Sequence, residues 1–185
     1  MRIAIAGASG TGKTTLALAI AERYGIPMNP IGARSVALEM GFGSPYDVDQ
    51  AGKRAEFQRR LFEAKRDWER DHEAFVTDRS VLDNLAYTGL HVEGTLEHEE
   101  VVQVFLQAAR RYDMIVRVWK KDFQRLDDGI RNTDPAYHDF YELILGGLIS
   151  RARVAVVDLH TGDMETRQAR VFRALDSFQR LLTEN

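Results

Sequence analysis

Gly7-Ala8-Ser9-Gly10-Thr11-Gly12-Lys13-Thr14-Thr15 sets a lysine and two hydroxyls at the end of a glycine-spaced run. Side chains of these types at this spacing hold a polyphosphate. The glycines let backbone N–H groups turn inward around an anion. Lys13 is expected to reach the β- and γ-phosphates and Thr14 to coordinate Mg²⁺, while the amides of residues 7–15 line the cradle. A helix opening at Lys13 adds unpaired N–H groups and partial positive charge, worth roughly 0.3–1 kcal/mol per anionic group. The run is a complete Walker A loop, and it implies ATP and Mg²⁺ as cofactors.

A phosphate cradle that performs transfer also needs a carboxylate near the metal, to hold its waters or to accept a proton from the attacking group. Asp78, in Thr77-Asp78-Arg79-Ser80, is the acid that directly ends a strand-like run in the first half of the chain. It is the candidate metal ligand and catalytic base. Arg79 adds a planar cation suited to paired oxygens. Asp83 is explained by its place in a capping box with Ser80. Ser80, Asn84 and Tyr87 could line an acceptor pocket. Further along, the segment of about 120–134 carries Lys120, Lys121, Arg125 and Arg131 between a strand and a capped helix, with Gly129 as a pivot. It reads as a lid that excludes water and brings cations onto the moving phosphoryl group. Arg125 and Arg131 are its catalytic candidates, because a guanidinium grips phosphate oxygens in fork geometry.

These residues need a scaffold that gathers them. Strand-type apolar runs occur at Arg2–Ala6, Ala74–Thr77, Met114–Trp119 and Val154–Val157, with a weaker one at Ile26–Met28. Helix-length segments lie between them: Lys13–Tyr24, a long one over Asp49–Glu73, Ser80–Thr88, Leu96–Arg111 after Thr95 as cap, Asp134-Pro135 to about Ser150, and Asp163–Leu182. The alternation predicts an α/β fold with a parallel sheet covered on both faces, in a single domain over residues 1–185. Right-handed crossovers then place all strand C-termini on one edge, where ligands of such sheets bind. Trp68 and Trp119 are expected to pack the core.

Of the chain's 185 residues 44% are hydrophobic and 29% charged, the composition of a globular domain, with a net charge of −3. That balance disfavours nucleic acid as a partner. The evenly interleaved charges of Asp49–Glu73 read as a solvated face. The absence of cysteine removes disulfides and thiolate chemistry. The five histidines show no metal-ligand spacing. No apolar stretch is long enough for a membrane span or a secretory signal, so a cytoplasmic location is the expectation. The sequence is compatible with a homodimer.

Gly7-x-x-x-x-Gly12-Lys13-Thr14-Thr15 together with Thr77-Asp78-Arg79-Ser80-Val81-Leu82-Asp83-Asn84-Leu85-Ala86-Tyr87 resembles the P-loop nucleoside and nucleotide kinases. Within them it is most similar to the nicotinamide-riboside-kinase-like and phage-type branch. Asp128-Gly129-Ile130-Arg131-x-x-Asp134-Pro135-x-Tyr137 resembles that branch's lid and following helix. The resemblance implies the P-loop NTP hydrolase fold, with a five-stranded parallel sheet ordered 2-3-1-4-5 and an arginine-bearing lid. It also implies that Asp78 acts near Mg²⁺ and the acceptor, and that Arg79 touches the acceptor or its phosphate. Such kinases often carry an acid after the second strand. Here that stretch reads Asn29-Pro30-Ile31-Gly32-Ala33-Arg34, which points away from sugar-hydroxyl recognition and, through Arg34, toward an anionic acceptor. The expected activity is Mg²⁺-ATP-dependent phosphoryl transfer to a nucleoside, nucleotide or similar small acceptor. A partner-coupled ATPase switch, and a kinase acting on a base or end in DNA, are the alternatives.

Overall fold

A computed structural model describes residues 1–119, 135–160 and 162–184. Its elements follow in the order β1 (Arg2–Ala6), α1 (Lys13–Tyr24), α2 (Ala33–Glu39), α3 (Pro45–Gln50), α4 (Arg54–Arg70), β2 (Phe75–Asp78), α5 (Val81–His91), a 3₁₀ turn at Thr95–Glu97, α6 (Glu99–Ala109), β3 (Met114–Val118), α7 (Pro135–Ala152), β4 (Ala155–Leu159) and α8 (Met164–Thr183). The described strands form one parallel sheet in the order β2-β1-β3-β4.

The strands alternate between two cores, as a period of two requires. Ala4, Ala6, Phe75 and Ile115 face the layer built from α5, α6 and α7. Ile3, Ile5, Val76, Met114, Val116 and Val118 face α1 and α8, through Leu16, Ile20, Val171 and Leu175. A third, smaller cluster joins α2 and α3 to α4 through Val36, Val48 and Phe57. No helix among the described residues is long and apolar enough to cross a membrane.

The parallel sheet with helices on both faces matches the sequence expectation, but its size does not. The described residues form four strands rather than five. The stretch expected to supply the second strand contributes one isolated parallel bridge, Met28 to Val76, at the outer edge beside β2. Pro27 and Pro30 flank it, and a proline cannot donate to a ladder. The helix expected over Asp49–Glu73 is α4, which begins only at Arg54; the chain turns at Gly52 with φ 66, and Asp49 and Gln50 belong to the end of α3, an element not expected from the sequence. The helix expected from Leu96 begins at Glu99, after the 3₁₀ turn. Helix α2 was not expected at all. Its seven residues hold too short a pattern to show a period. Trp119 is not a core residue: it lies half-buried at the sheet edge, with the Arg117 guanidinium 3.5 Å from its ring centroid and its indole N–H donating to Asp158 at 2.7 Å.

Candidate functional site

The glycine loop follows β1 directly, and its two ends are held by close packing. Gly7 has φ 132, and a Cβ there would lie 2.2 Å from the Val118 carbonyl oxygen of β3. Gly12, φ 80, caps α1, and a Cβ on it would meet the Met164 methyl at 2.6 Å. At Gly7 only glycine meets both the dihedral and the space requirement; at Gly12 the dihedral favours glycine, while the Met164 methyl is the end of a flexible side chain. Polar groups pin the same ends. The Gly7 N–H donates to Asp83 Oδ1 at 3.0 Å, and the Tyr141 hydroxyl is 3.2 Å from the Gly7 carbonyl and 2.5 Å from that carboxylate oxygen. Arg167 of α8 donates to the Thr11 carbonyl at 3.2 Å.

Lys13 lies inside the loop, only 5% exposed, and its Nζ donates to the Ala8 carbonyl and to Thr11 Oγ1. Burial, reinforced by the positive charge of Arg79, pulls its ammonium down from 10.5 to about 7. An anion arriving beside it would restore the full charge. Thr14 and Thr15 are exposed on the first turn of α1. Because β2 pairs with β1 with no strand between them, Asp78 emerges beside this turn, and the Thr14 hydroxyl donates to Asp78 Oδ2 at 2.5 Å. The other carboxylate oxygen of Asp78 is buried and has no hydrogen-bond partner.

Arg79 turns back over the loop. Its guanidinium donates to Ser9 Oγ at 2.7 Å, to the Gly7 carbonyl at 3.3 Å and to the Tyr87 hydroxyl at 3.2 Å, and it lies 5.0 Å from the Tyr87 ring centroid. The residue adopts φ 73, unusual for a side chain with a Cβ. One face of the glycine loop thus meets a hydroxyl, a carboxylate with a free oxygen, and a guanidinium. A small hard cation that takes oxygen ligands and keeps waters of its own fits the Thr14–Asp78 pair, whose buried Oδ1 is left without a donor.

A family model described as AAA domain matches residues 2–167, nearly the whole chain. The chain belongs to the AAA domain family. No curated protein matches it by sequence. Among solved structures, deoxyadenosine kinase from M. mycoides with bound dCTP superposes with TM-score 0.65 at 15% identity, covering 96% of this AAA domain chain and all of the other. Shikimate kinase from Aquifex aeolicus superposes with TM-score 0.61 at 16% identity, covering 97% and 98%. NadR protein in complex with NR gives 0.63 at 18%, covering 95% of this chain and 50% of that one. At these identities the likeness shows a shared fold, the P-loop α/β fold of small-molecule kinases.

Of the residues singled out from sequence, the structure gathers Lys13, Thr14, Asp78 and Arg79, with residues 7–15 around them. It does not bring Arg34 into that contact network. Arg34 is exposed in the first turn of α2, with no hydrogen bond or ion pair among the described residues. Arg125 and Arg131, with the whole lid of 120–134, lie outside the described residues. Ser80 is a buried helix cap, Asn84 is buried and donates to Gln58, and Tyr87 faces Arg79. Three supports of the loop were missed. Asp83 forms the expected capping box, but its carboxylate also binds the Gly7 amide. A motif search carries no signal for Tyr141 or Arg167, which reach the loop from helices more than a hundred residues away in the chain.

Proposed function

We propose that the protein is a Mg²⁺-ATP-dependent phosphotransferase that moves the γ-phosphate to a small acceptor of nucleoside, nucleotide or similar type. The observation that carries this reading is the 2.5 Å contact between Thr14 and Asp78, with Arg79 folded over the same face of the glycine loop. The grouping of a hydroxyl, a carboxylate and a guanidinium on one face of the loop supports reading that face as the place of a triphosphate's terminal phosphate.

The residues then divide the work. The amides of residues 7–15 and Lys13 hold the phosphates, and Lys13 offsets the charge that grows on the transferring group. Thr14 and Asp78 would hold Mg²⁺, which would supply positive charge against the charge of the phosphates when bound. Asp78 also orients the acceptor hydroxyl and takes its proton. Arg79 keeps its present partners until an anionic oxygen competes for its fork. Arg125 and Arg131 are assigned to the lid, and Arg34 to an anionic group on the acceptor. The relatives in fold support the reading: a deoxyadenosine kinase and a shikimate kinase phosphorylate unrelated acceptors on this scaffold, so the fold fits small acceptors without naming one.

The test is transfer from γ-labelled ATP in the presence of Mg²⁺ to a panel of nucleosides, nucleoside monophosphates, nicotinamide riboside, shikimate and DNA, with Lys13→Met as control. Label in a small phosphorylated product, lost in the control, supports the proposal. Membership of the AAA domain family favours a second reading, a nucleotide-driven switch with a protein partner. That reading predicts label released only as inorganic phosphate, whatever acceptor is present.

A further inference from the structure

Behind the strand end that carries Asp78 lies a buried cation that the phosphate site does not use. Lys65, on α4, is 3% exposed. Its Nζ donates to Thr77 Oγ1 at 2.8 Å, to the Asp78 carbonyl at 3.2 Å and to the Ile31 carbonyl at 3.4 Å. Glu69, one helical turn on, is buried as well. Its carboxylate accepts from Asn29 Nδ2 at 3.2 Å and from the Tyr112 hydroxyl at 3.0 Å. Burial lowers the Lys65 pKa, and the charge of Glu69 opposes that shift. An ammonium is an expensive way to fill space, because its desolvation costs several kcal/mol. Packing therefore does not account for it.

The backbone it touches does. Arg79, with φ 73, is in the left-handed region, which costs a residue with a Cβ about 1–3 kcal/mol and persists only when its surroundings hold it. Both carbonyls flanking that φ are held from Lys65. One is the Asp78 carbonyl, bound directly. The other is the Arg79 carbonyl, which accepts at 3.3 Å from the Thr77 hydroxyl that Lys65 itself orients. The Arg79 N–H is fixed by the Ile5 carbonyl at 2.9 Å. Rotating this peptide would swing Asp78 off Thr14 and Arg79 off Ser9. The third bond of Lys65 ties the same corner to Ile31, just before α2, where Arg34 sits.

We propose that Lys65 is a positioning residue: it holds the Asp78–Arg79 peptide in its left-handed turn and ties to it the 29–32 segment on the acceptor side. This rests on the reading of the glycine loop and Asp78 as a metal–nucleotide site.

The test is a double-mutant cycle read by Mn²⁺ affinity of the ATP-bound protein, measured by electron paramagnetic resonance on wild type, Asp78→Asn, Lys65→Met and the double variant. Each single change is expected to weaken Mn²⁺ binding about tenfold or more, the loss typical of a charge-assisted contact. Metal-free ATP affinity should stay within about twofold, and the double variant should bind Mn²⁺ no worse than Asp78→Asn alone. Lys65→Gln, which keeps an N–H donor, should recover part of the loss, and it replaces Lys65→Met in the cycle if the methionine variant does not fold. Independent, additive losses would overturn the proposal. Hydrogen exchange of the Arg79 amide in the nucleotide-free protein gives a second reading, expected to be faster in both Lys65 variants. If wild type shows no ATP-dependent Mn²⁺ binding, the functional reading fails, and the exchange measurement still judges Lys65. Unchanged exchange in both variants would overturn its positioning role.

Discussion

Replacing Lys13 with methionine should make the protein more stable while removing its nucleotide chemistry. Lys13 is 5% exposed, and its pKa is lowered from 10.5 to about 7 by burial and by Arg79. A shift of that size means the unfolded chain, with a freely solvated ammonium, is favoured by roughly 4–5 kcal/mol at neutral pH and below. Methionine removes that term and the two Lys13 contacts; the Ala8 carbonyl keeps the Thr11 hydroxyl as a donor at 3.0 Å, so the loss is about 1–3 kcal/mol. The net gain is on the order of 2 kcal/mol near pH 7, or a rise of about 4–8 °C in Tm for a chain of this size. The sign of the pH dependence follows. Between about pH 7 and about pH 10.5 the unfolded state binds the extra proton, so wild type gains stability as pH rises through that window while the methionine variant lacks this gain. The advantage of the variant therefore shrinks toward high pH. Urea denaturation of both proteins from about pH 6 to about pH 10 measures the difference directly and cancels the other titrating groups. A variant less stable than wild type at neutral pH, with a pH-independent difference, would refute the reasoning.

Other expectations follow from the same geometry. Because burial brings the Lys13 ammonium down to about 7 and an anion beside it favours the charged form, binding of Mg²⁺-ATP should take up protons near neutral pH, seen by calorimetry in buffers of different ionisation enthalpy. Gly7→Ala should destabilise the fold by about 3 kcal/mol or more in urea denaturation, because its Cβ would stand 2.2 Å from the Val118 oxygen at φ 132. Tyr141→Phe removes a donor from the buried Asp83 carboxylate and should cost about 1–3 kcal/mol in the same assay. Once an acceptor is identified, Arg34→Ala should raise its KM far more than that of ATP; equal effects on both would remove Arg34 from the acceptor site.

The glycine loop and Asp78 were legible as one candidate site because their patterns are local in sequence. The loop and its helix run from Gly7 to Tyr24 without interruption, and Asp78 follows a run that reads as a strand. The rule that parallel strands end on one edge puts Asp78 on the loop's side of the sheet; its place against Thr14 needs the pairing of β2 with β1 as well. The supports of the loop were not legible, since Tyr141 and Arg167 contribute single contacts from distant helices. Lys65 and Glu69 were hidden for a different reason. Within the charges of Asp49–Glu73, read as one solvated face, Glu56–Arg60 and Arg59–Glu63 do form i,i+4 pairs on the surface, whereas Lys65 and Glu69 are buried and bind other partners. Only their rotation about the helix axis turns them inward. The missing strand has a local cause, the prolines beside Met28, yet an apolar run of three residues does not reveal whether it will pair fully.

The central claim is that this loop and Asp78 hold a metal-bound triphosphate. Calorimetric titration of the protein with Mg²⁺-ATP tests it most directly. Saturable binding at one site, with proton uptake near neutral pH and loss of that binding in Lys13→Met, is the expected result. Absence of saturable heat with Mg²⁺-ATP and with Mg²⁺-GTP, or binding unchanged by the loss of Lys13, would contradict it.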